Sequence, residues 1–298
     1  MATTDAVAAC NCCGGTSWTP CFSENGHTLG QCGDCDLLYI DPMPTRATRM
    51  TEMESGHFGG DLSKKVLDGT KQTAAEAAKH QIFTNYLQHI ERHVSEGRWL
   101  EIGCGAGYFM GVAERAGYAV EGIELTPARR KIAESTGATV HGRPVEDLGF
   151  PAHSFDVITL IDVFSHLTNP RETLTELRRI IRPGGVILLA TGEILSPPHK
   201  GDVFSWNLGD HLFFLGTRTI ARYADTVGLR EVEHHRTWLP SDIYTKDRLA
   251  IRGNSGLRNV VKTAVVRTPG ALALLRAWML KKHKNNSAHS GVILLTAP

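Results

Sequence analysis

Long apolar runs are missing from this chain of 298 residues, and neither sign of charge predominates. No segment approaches the roughly 18–20 apolar residues that cross a bilayer, so we expect no transmembrane helix. Residues 1–9 have neither a basic segment nor a long apolar core, and therefore do not resemble a secretory signal. The net charge of +1 gives no general attraction to nucleic acid or membranes. We therefore expect a cytoplasmic protein with a sizeable apolar core.

Cysteine is scarce outside one end of the chain: six of the seven cysteines lie within residues 10–35, and the seventh is Cys104. Lysine and arginine are absent from residues 1–45, where five acids occur. In a reducing compartment, such a cluster binds metal more often than it forms disulfides. It contains two Cys-x-x-Cys pairs separated by 18 residues, a spacing that can place four thiolates tetrahedrally around Zn²⁺.

The two pairs predict one structural zinc, because four thiolates leave no open coordination position for catalysis. A module this short buries too little core to fold alone, and metal binding can supply roughly 10–16 kcal/mol of apparent stabilisation. Two further thiols, Cys12 and Cys21, could each replace a member of the set. The expected ligands are Cys10, Cys13, Cys32 and Cys35.

Strand-like and helix-like segments alternate from Arg98 onward, which indicates βαβ units and a mostly parallel sheet. The expected strands are 99–102, 119–123, 139–141, 155–161, 186–191, 231–237 and 291–296. The expected helices are 107–116, 127–136, 170–181 and 217–227. The sequence thus predicts an α/β protein. Its parts are a Rossmann-like seven-stranded, mostly parallel sheet with helices on both faces, an N-terminal zinc ribbon and a helical insertion before the last strand.

A glycine-rich turn is the most informative segment. An apolar strand ends at Glu101 and leads to Gly103, Gly105 and Gly107, after which a helix is expected. Glycines at such a turn allow tight dihedral angles and close approach of a ligand to the backbone. Glu124 ends the next strand, near the spacing at which an acid accepts hydrogen bonds from ribose hydroxyls. The spacing is Gly-x-Gly-x-Gly and not the Gly-x-Gly-x-x-Gly that is typical of a dinucleotide site, which disfavours NAD and FAD.

With these motifs the sequence resembles the class I S-adenosylmethionine-dependent methyltransferases. The matching motifs, in family order, are Leu100-Glu-Ile-Gly-Cys-Gly-Ala-Gly107, Glu124, Val145-Glu-Asp-Leu-Gly-Phe150, Ser154-Phe-Asp-Val157 and Arg182-Pro-Gly-Gly185. The resemblance implies that the three turn glycines border the methionine part of S-adenosylmethionine. It also implies that Glu101 lies near the amino group and Glu124 at the ribose diol. Val145 and Glu146 would flank the adenine, and Asp162 would lie near the sulfonium.

We predict three parts of the chain: a zinc ribbon (1–45), a linker with N-terminal helices (46–96) and a methyltransferase domain (97–298). An insertion at about residues 239–288 would contain helices 257–267 and 270–283. From Lys246 to Lys284 it has ten Lys or Arg and one acid, which gives a net charge of +9. Three interpretations are open: a solvated lid or dimer element, a lid that attracts an anionic small substrate, or contact with nucleic acid or an anionic membrane.

Two of the fourteen histidines stand out by position. His166 follows the fourth strand, at the ligand-facing end of a parallel sheet, and His211 follows Asp210 before a Phe-rich segment. These features resemble the zinc-ribbon methyltransferases that include the deoxysugar C-methyltransferases of antibiotic pathways. The resemblance implies that His211, paired with Asp210, removes a proton from the acceptor, with His166 as substrate contact or second candidate. The alternative for both histidines is a structural role, as a helix cap or a loop hydrogen bond.

The predicted function is methyl transfer from S-adenosylmethionine to a small molecule in specialised metabolism, with a carbon, oxygen or nitrogen acceptor left open. His57 and Phe58 are expected to line the acceptor pocket. An RNA methyltransferase is disfavoured, because an acidic ribbon without Lys or Arg would repel phosphates. The third alternative is a non-catalytic protein that binds S-adenosylmethionine, and the complete motif set argues against it. The chain is expected to be a monomer or a homodimer.

Overall fold

The computed structural model describes residues 4–55, 74–195, 207–237 and 288–298, together with Gly270 and Leu274. Apart from those two positions, the helices expected in the basic insertion lie outside the described residues, as do His57 and Phe58. Within the described part, no helix combines the length and the apolar character needed to cross a bilayer.

The N-terminal residues form a small antiparallel sheet around the cysteine pairs. Its strands are β2 (Trp18–Glu24), β3 (His27–Cys32) and β4 (Leu38–Asp41), while β1 (Thr4–Asp5) pairs separately with β5 (Met43–Pro44). The turn between β2 and β3 consists of Asn25 and Gly26, with φ angles of 54° and 79°. Two residues with positive φ are what a tight two-residue hairpin turn requires, and Asn-Gly adopts that conformation readily.

In the described part of the chain, helices α1 (Arg46–Glu54) and α2 (Ala74–Glu91) come before a central seven-stranded sheet. The sheet contains β6 (Arg98–Ile102), β7 (Ala119–Ile123), β8 (Thr139–His141), β9 (Phe155–Ile161), β10 (Ile181–Ile194), β12 (Arg230–Thr237) and β13 (Ala288–Thr296). Its spatial order is β12-β13-β10-β9-β6-β7-β8, and β13 is antiparallel to both of its neighbours. The other pairings within the sheet are parallel. This confirms the predicted Rossmann-like fold.

The strand expected to begin at residue 186 begins earlier, at Ile181. Ile181 pairs with Phe155, and after a shift of register the pairing resumes between Val186 and Val157. Proline and glycine are disfavoured in strands, so the intervening Pro183, Gly184 and Gly185 conceal this first part of β10 in the sequence.

The helices that connect the strands are α3 (Tyr108–Arg115), α4 (Pro127–Glu134), α5 (Pro170–Ile180) and α6 (Thr219–Val227). Proline begins α4 and α5, where its missing N–H needs no helical partner. The Asn169 side chain accepts a hydrogen bond from the Glu172 N–H at the start of α5, and Gly228 ends α6 in the left-handed conformation. These helices occupy the four segments that the periodicity predicts.

Alternate residues of β10 pack on opposite faces of the sheet. Ile187 and Leu189 belong to a buried cluster that contains α5, α6 and the N-terminal sheet. Leu188 and Ala190 belong to a second cluster with Trp99 and the apolar residues of α2 and α3. A strand buried on both sides explains the continuous apolar run of β10, as expected for the centre of a mostly parallel sheet.

The short strand β11 (Phe213–Phe214) extends the N-terminal sheet, although it comes from the second half of the chain. Phe213 pairs with Tyr39 and Phe214 with Leu38, both in β4. The cysteine-bearing sheet therefore shares a strand and an apolar core with the rest of the protein. The boundaries 1–45, 46–96 and 97–298 stay a prediction.

Candidate active site

The glycine turn follows β6 at the carboxyl edge of the parallel strands. Gly103, Gly105 and Gly107 have φ angles of 70°, 58° and 81°, in the left-handed region that side chains disfavour. A Cβ atom on Gly103 would lie 2.4 Å from Val163 Cγ2. On Gly105, a Cβ atom would meet no described residue within 4 Å apart from its chain neighbours. The turn is thus packed at one glycine and open at the next, where a ligand can approach the backbone.

Two buried carboxylates lie beside this turn. Glu124 follows β7 and accepts hydrogen bonds from the backbone N–H groups of Gly105 (2.9 Å) and Thr126 (2.7 Å). Each of its oxygens keeps a lone pair for a hydroxyl donor. Glu101 is 4% exposed, and burial raises its pKa to about 8, with a smaller contribution from the charge of Glu124.

One carboxylate oxygen of Glu101 needs a hydrogen-bond donor. Its Oε2 atom is buried and accepts no hydrogen bond from any described residue. A buried carboxylate oxygen without a donor is costly, and a cationic amino group placed there would both donate a hydrogen bond and stabilise the ionised form. The site therefore fits a ligand that carries an ammonium group and ribose hydroxyls.

The remaining predicted cofactor residues follow β8 and β9. Val145 is buried in a single 3₁₀ turn (Val145–Asp147), and the Glu146 carboxylate accepts a hydrogen bond from Thr173 Oγ1 of α5. Asp162 directly follows β9, is exposed, and has a φ angle of 56°. Non-glycine residues with positive φ are strained and are enriched at functional sites. All of these residues follow the carboxyl ends of parallel strands, the edge at which open α/β sheets bind ligands.

His166 and His211 lie together, with ring centroids 4.5 Å apart. His166 ends a 3₁₀ turn (Phe164–His166) after β9, and His211 lies between β10 and β11. The Nδ1 atom of His166 is 2.8 Å from the carbonyl oxygen of Asp210, which can only accept, so Nδ1 carries the proton and Nε2 has a lone pair. The Nδ1 atom of His211 is 2.8 Å from Ser165 Oγ.

The pKa values of both imidazoles are lowered, which favours their unprotonated forms. Burial, with a smaller contribution from His211, lowers the pKa of His166 to about 4. Burial also lowers the pKa of His211, while the negative charge of Asp210 opposes that shift. A general base must be unprotonated before it accepts a proton, and a nearby carboxylate stabilises the imidazolium that forms. The His211–Asp210 pair meets both conditions.

Arg49 of α1 reaches the same place and could not be anticipated from the sequence. It is 3% exposed, its Nη2 atom donates to the carbonyl oxygen of Asp210, and its Nη1 atom lies 2.9 Å from Glu52 Oε2. Its positive charge contributes to the lowered pKa of both histidines. Arg49 belongs to no sequence motif, so only the folded contacts identify it and Ser165 as members of the site.

The N-terminal sheet supports the loop that carries His211. Glu24 Oε2 accepts a hydrogen bond from the Leu208 N–H (3.3 Å), and the Ile40 N–H donates to the carbonyl oxygen of Leu212 (3.1 Å). A Cβ atom on Gly209 would lie 2.6 Å from His27 Nε2, so the β2–β3 hairpin also contacts this loop. The position of His211 consequently depends on the fold of the cysteine-bearing sheet.

Four cysteines of the N-terminal region lie close together. The Sγ atoms of Cys10 and Cys35 are 3.6 Å apart, those of Cys13 and Cys32 are 3.5 Å apart, and all four lie within 4.8 Å of one another. A tetrahedral zinc with Zn–S bonds of about 2.3 Å separates its sulfurs by about 3.8 Å, so the group fits zinc. A disulfide bond needs roughly 2.05 Å, and the seven cysteines are free thiols.

The two other N-terminal thiols are not members of this group, although Cys12 lies beside Cys35. Cys12 Sγ lies 3.7 Å from the carbonyl oxygen of Thr219, and Cys21 Sγ lies 3.4 Å from that of Leu29. The structure thus brings together the four cysteines that the spacing predicts and leaves both alternatives outside the group.

A family model described as a methyltransferase domain matches residues 74–234. The ubiquinone biosynthesis O-methyltransferase of Haemophilus ducreyi is 30% identical over 118 residues, which cover 36% of this chain and 50% of the relative. An uncharacterized protein of Methanocaldococcus jannaschii is 32% identical over 108 residues, covering 36% and 51%. The chain therefore spans about half the length of these curated relatives.

Solved structures agree on the architecture. The geranyl diphosphate C-methyltransferase of Streptomyces coelicolor has a TM-score of 0.53 at 15% identity, with coverage of 74% of this chain and 82% of that one. The [4+2]-cyclase SpnF has a TM-score of 0.50 at 17% identity, with coverage of 72% and 81%. At these identities the likeness shows the fold alone, and the fold is that of the class I methyltransferases.

Proposed function

This chain belongs to the methyltransferase domain family, and we propose that it transfers a methyl group from S-adenosylmethionine to a small molecule in specialised metabolism, such as an antibiotic pathway. The observation that carries the proposal is the pair of buried carboxylates, Glu101 and Glu124, beside a glycine turn that is open at Gly105. The names of the similar O- and C-methyltransferases refer to small molecules, which supports this acceptor class.

The donor-binding roles are assigned to the residues around the turn. Gly103, Gly105 and Gly107 border the methionine part, and Glu101 pairs with its amino group through the otherwise unpartnered Oε2. The remaining lone pairs of Glu124 accept the ribose hydroxyls. Three residues complete the donor site, with two at the adenine and one near the sulfonium: Val145, Glu146 and Asp162.

Acceptor chemistry is assigned to the histidine pair. The bound donor supplies a methyl group activated by a sulfonium, and the protein must align the acceptor with it and exclude water. His211 takes the acceptor proton, Asp210 stabilises the resulting imidazolium, and His166 fixes the neighbouring wall of the site through its hydrogen bond to the Asp210 carbonyl. One structural zinc held by Cys10, Cys13, Cys32 and Cys35 keeps the sheet behind this loop folded.

Calorimetry with S-adenosylmethionine and S-adenosylhomocysteine tests the donor site. We expect both to bind the native chain. We expect E124Q to weaken binding by at least about tenfold, because the carboxylate that accepts hydrogen bonds from the two ribose hydroxyls is lost. E121Q is the matched control, since Glu121 lies on β7, the strand that Glu124 follows, but pairs with Arg98 and His141. Absence of binding to the native chain would reject the proposal.

A second experiment separates the acceptor classes. A donor with a labelled methyl group is incubated with the protein and a cell extract, which is then divided into small molecules, RNA and protein. Label in the small-molecule fraction supports the proposal, and label in RNA favours the alternative that the acidic ribbon argues against. Donor binding without label in any fraction would favour a non-catalytic protein.

A further inference from the structure

Three histidines surround one glutamate on the face of the central sheet that packs against α2. Glu233 Oε2 lies 2.9 Å from His89 Nδ1 and 3.0 Å from His235 Nε2, and Glu233 Oε1 lies 2.8 Å from His93 Nε2. The rings of His89 and His235 are 4.5 Å apart between centroids. We refer to His89, His93, Glu233 and His235 as the histidine–glutamate cluster.

The topology explains why these four residues meet. Glu233 and His235 are two positions apart on β12 and therefore share one face, whereas His234 and Arg236 contact Glu193 on the other. His89 and His93 are four positions apart at the end of α2 and in the turn after it, so they also project to one side. The cluster joins residues that are far apart in the chain, with 144 positions between His89 and Glu233.

The spacing of the nitrogen and oxygen atoms suits a metal ion. The candidate ligand atoms of His89, Glu233 and His235 lie within 4.8 Å of one another. A tetrahedral zinc with bonds of about 2.0–2.1 Å separates its ligands by about 3.3 Å, close to the contacts of 2.9 and 3.0 Å found here. Two imidazoles and a carboxylate are ligands that Zn²⁺ and Ni²⁺ accept.

We propose that the histidine–glutamate cluster is a second metal site, separate from the four cysteines, for a divalent transition ion such as Zn²⁺ or Ni²⁺. His89, Glu233 and His235 supply the ligands, and His93 contacts the other carboxylate oxygen of Glu233. The site clamps the end of α2 to the edge strand β12. Arg92 Nη1 lies 3.1 Å from Glu233 Oε2, but its side chain is 55% exposed and can turn into solvent when the ion binds.

Titration of Ni²⁺ into the whole chain, purified without a histidine tag, tests the site by calorimetry and melting temperature. We expect one Ni²⁺ to bind the native chain and raise its melting temperature. In H235A both effects should be lost, because a proposed ligand is removed. The metal-free fold should stay intact, since the His235 side chain is half exposed. E233Q is a second variant with an unchanged shape, and we expect its affinity to fall by more than about tenfold, because even outer-shell partners contribute that much.

Two further variants sharpen the result. H141A is the matched control, because His141 makes a single histidine–glutamate contact with Glu121 at the opposite edge of the sheet, and it should bind Ni²⁺ like the native chain. R92A should bind more tightly, since a competing cation beside Glu233 is removed. Failure of the native chain to bind Ni²⁺ overturns the proposal, as does binding that persists in H235A and E233Q.

Discussion

The donor side and the acceptor side of the candidate active site are built in different ways. The core of the donor side is one short segment, the turn from Glu101 to Gly107, together with the acid that follows the adjacent strand. The acceptor side joins α1, the turn after β9 and the loop before β11, and it rests on the cysteine-bearing sheet. Local geometry therefore fixes the donor side, while the acceptor side depends on contacts between distant parts of the chain. Disturbing those contacts should impair methyl transfer without impairing donor binding.

The largest expected effect comes from the four-cysteine group. Cys32→Ser should release the metal, whose binding is worth roughly 10–16 kcal/mol in comparable modules, and so displace the loop that carries His211. We expect methyl transfer to be lost while S-adenosylhomocysteine still binds. Cys21→Ser, which changes a thiol outside the group, should alter neither. Loss of donor binding together with methyl transfer would show that the two sides are not separable.

The next largest effect concerns the base. His211→Ala should lower kcat by about 10²–10⁴-fold, the usual contribution of a general base, with the donor affinity unchanged. His166→Ala should have a smaller effect on kcat, because its Nδ1 proton is already committed to a carbonyl oxygen. Turnover by the His211 variant at the native rate would remove it as the base.

His166 should also make stability depend on pH. Its pKa is about 4 in the folded protein and 6.5 in an exposed chain, so the unfolded state binds more protons between these values. Stability should therefore fall as the pH drops from about 6.5 to about 4, by at most about 3 kcal/mol. Urea unfolding of the native chain and of His166→Asn measures the difference, and equal slopes against pH would contradict it.

The smallest expected effect separates the charge of Asp210 from its backbone contacts. Asp210→Asn keeps the carbonyl that accepts from His166 and Arg49 but removes the charge that opposes the lowered pKa of His211. The pKa of His211 should then fall further, and the acid limb of kcat/KM should move to lower pH by less than about one unit. A shift to higher pH would assign the opposite electrostatic role to this residue.

Sequence patterns anticipate most of the fold and the donor side, because their information is local. The alternation of β6 to β9 with helices, the three glycines and the acid after β7 can each be recognised within a few residues of chain. The first part of β10 is missed because proline and glycine interrupt its strand pattern. The short strand β11 is missed because two residues contain no periodicity, and its partner β4 is more than 170 positions away.

By itself the sequence determined where the backbone can bend sharply, which thiols have metal-ligand spacing and which segments become buried strands, since these follow from residue type and interval. Only the tertiary structure decided that Arg49 and Ser165 join the two histidines. It also decided that the end of α2, the turn after it and β12 bring three imidazoles around Glu233. These contacts depend on how helices and loops pack on the faces of the sheet. A sequence pattern does not indicate which distant side chains will share a face.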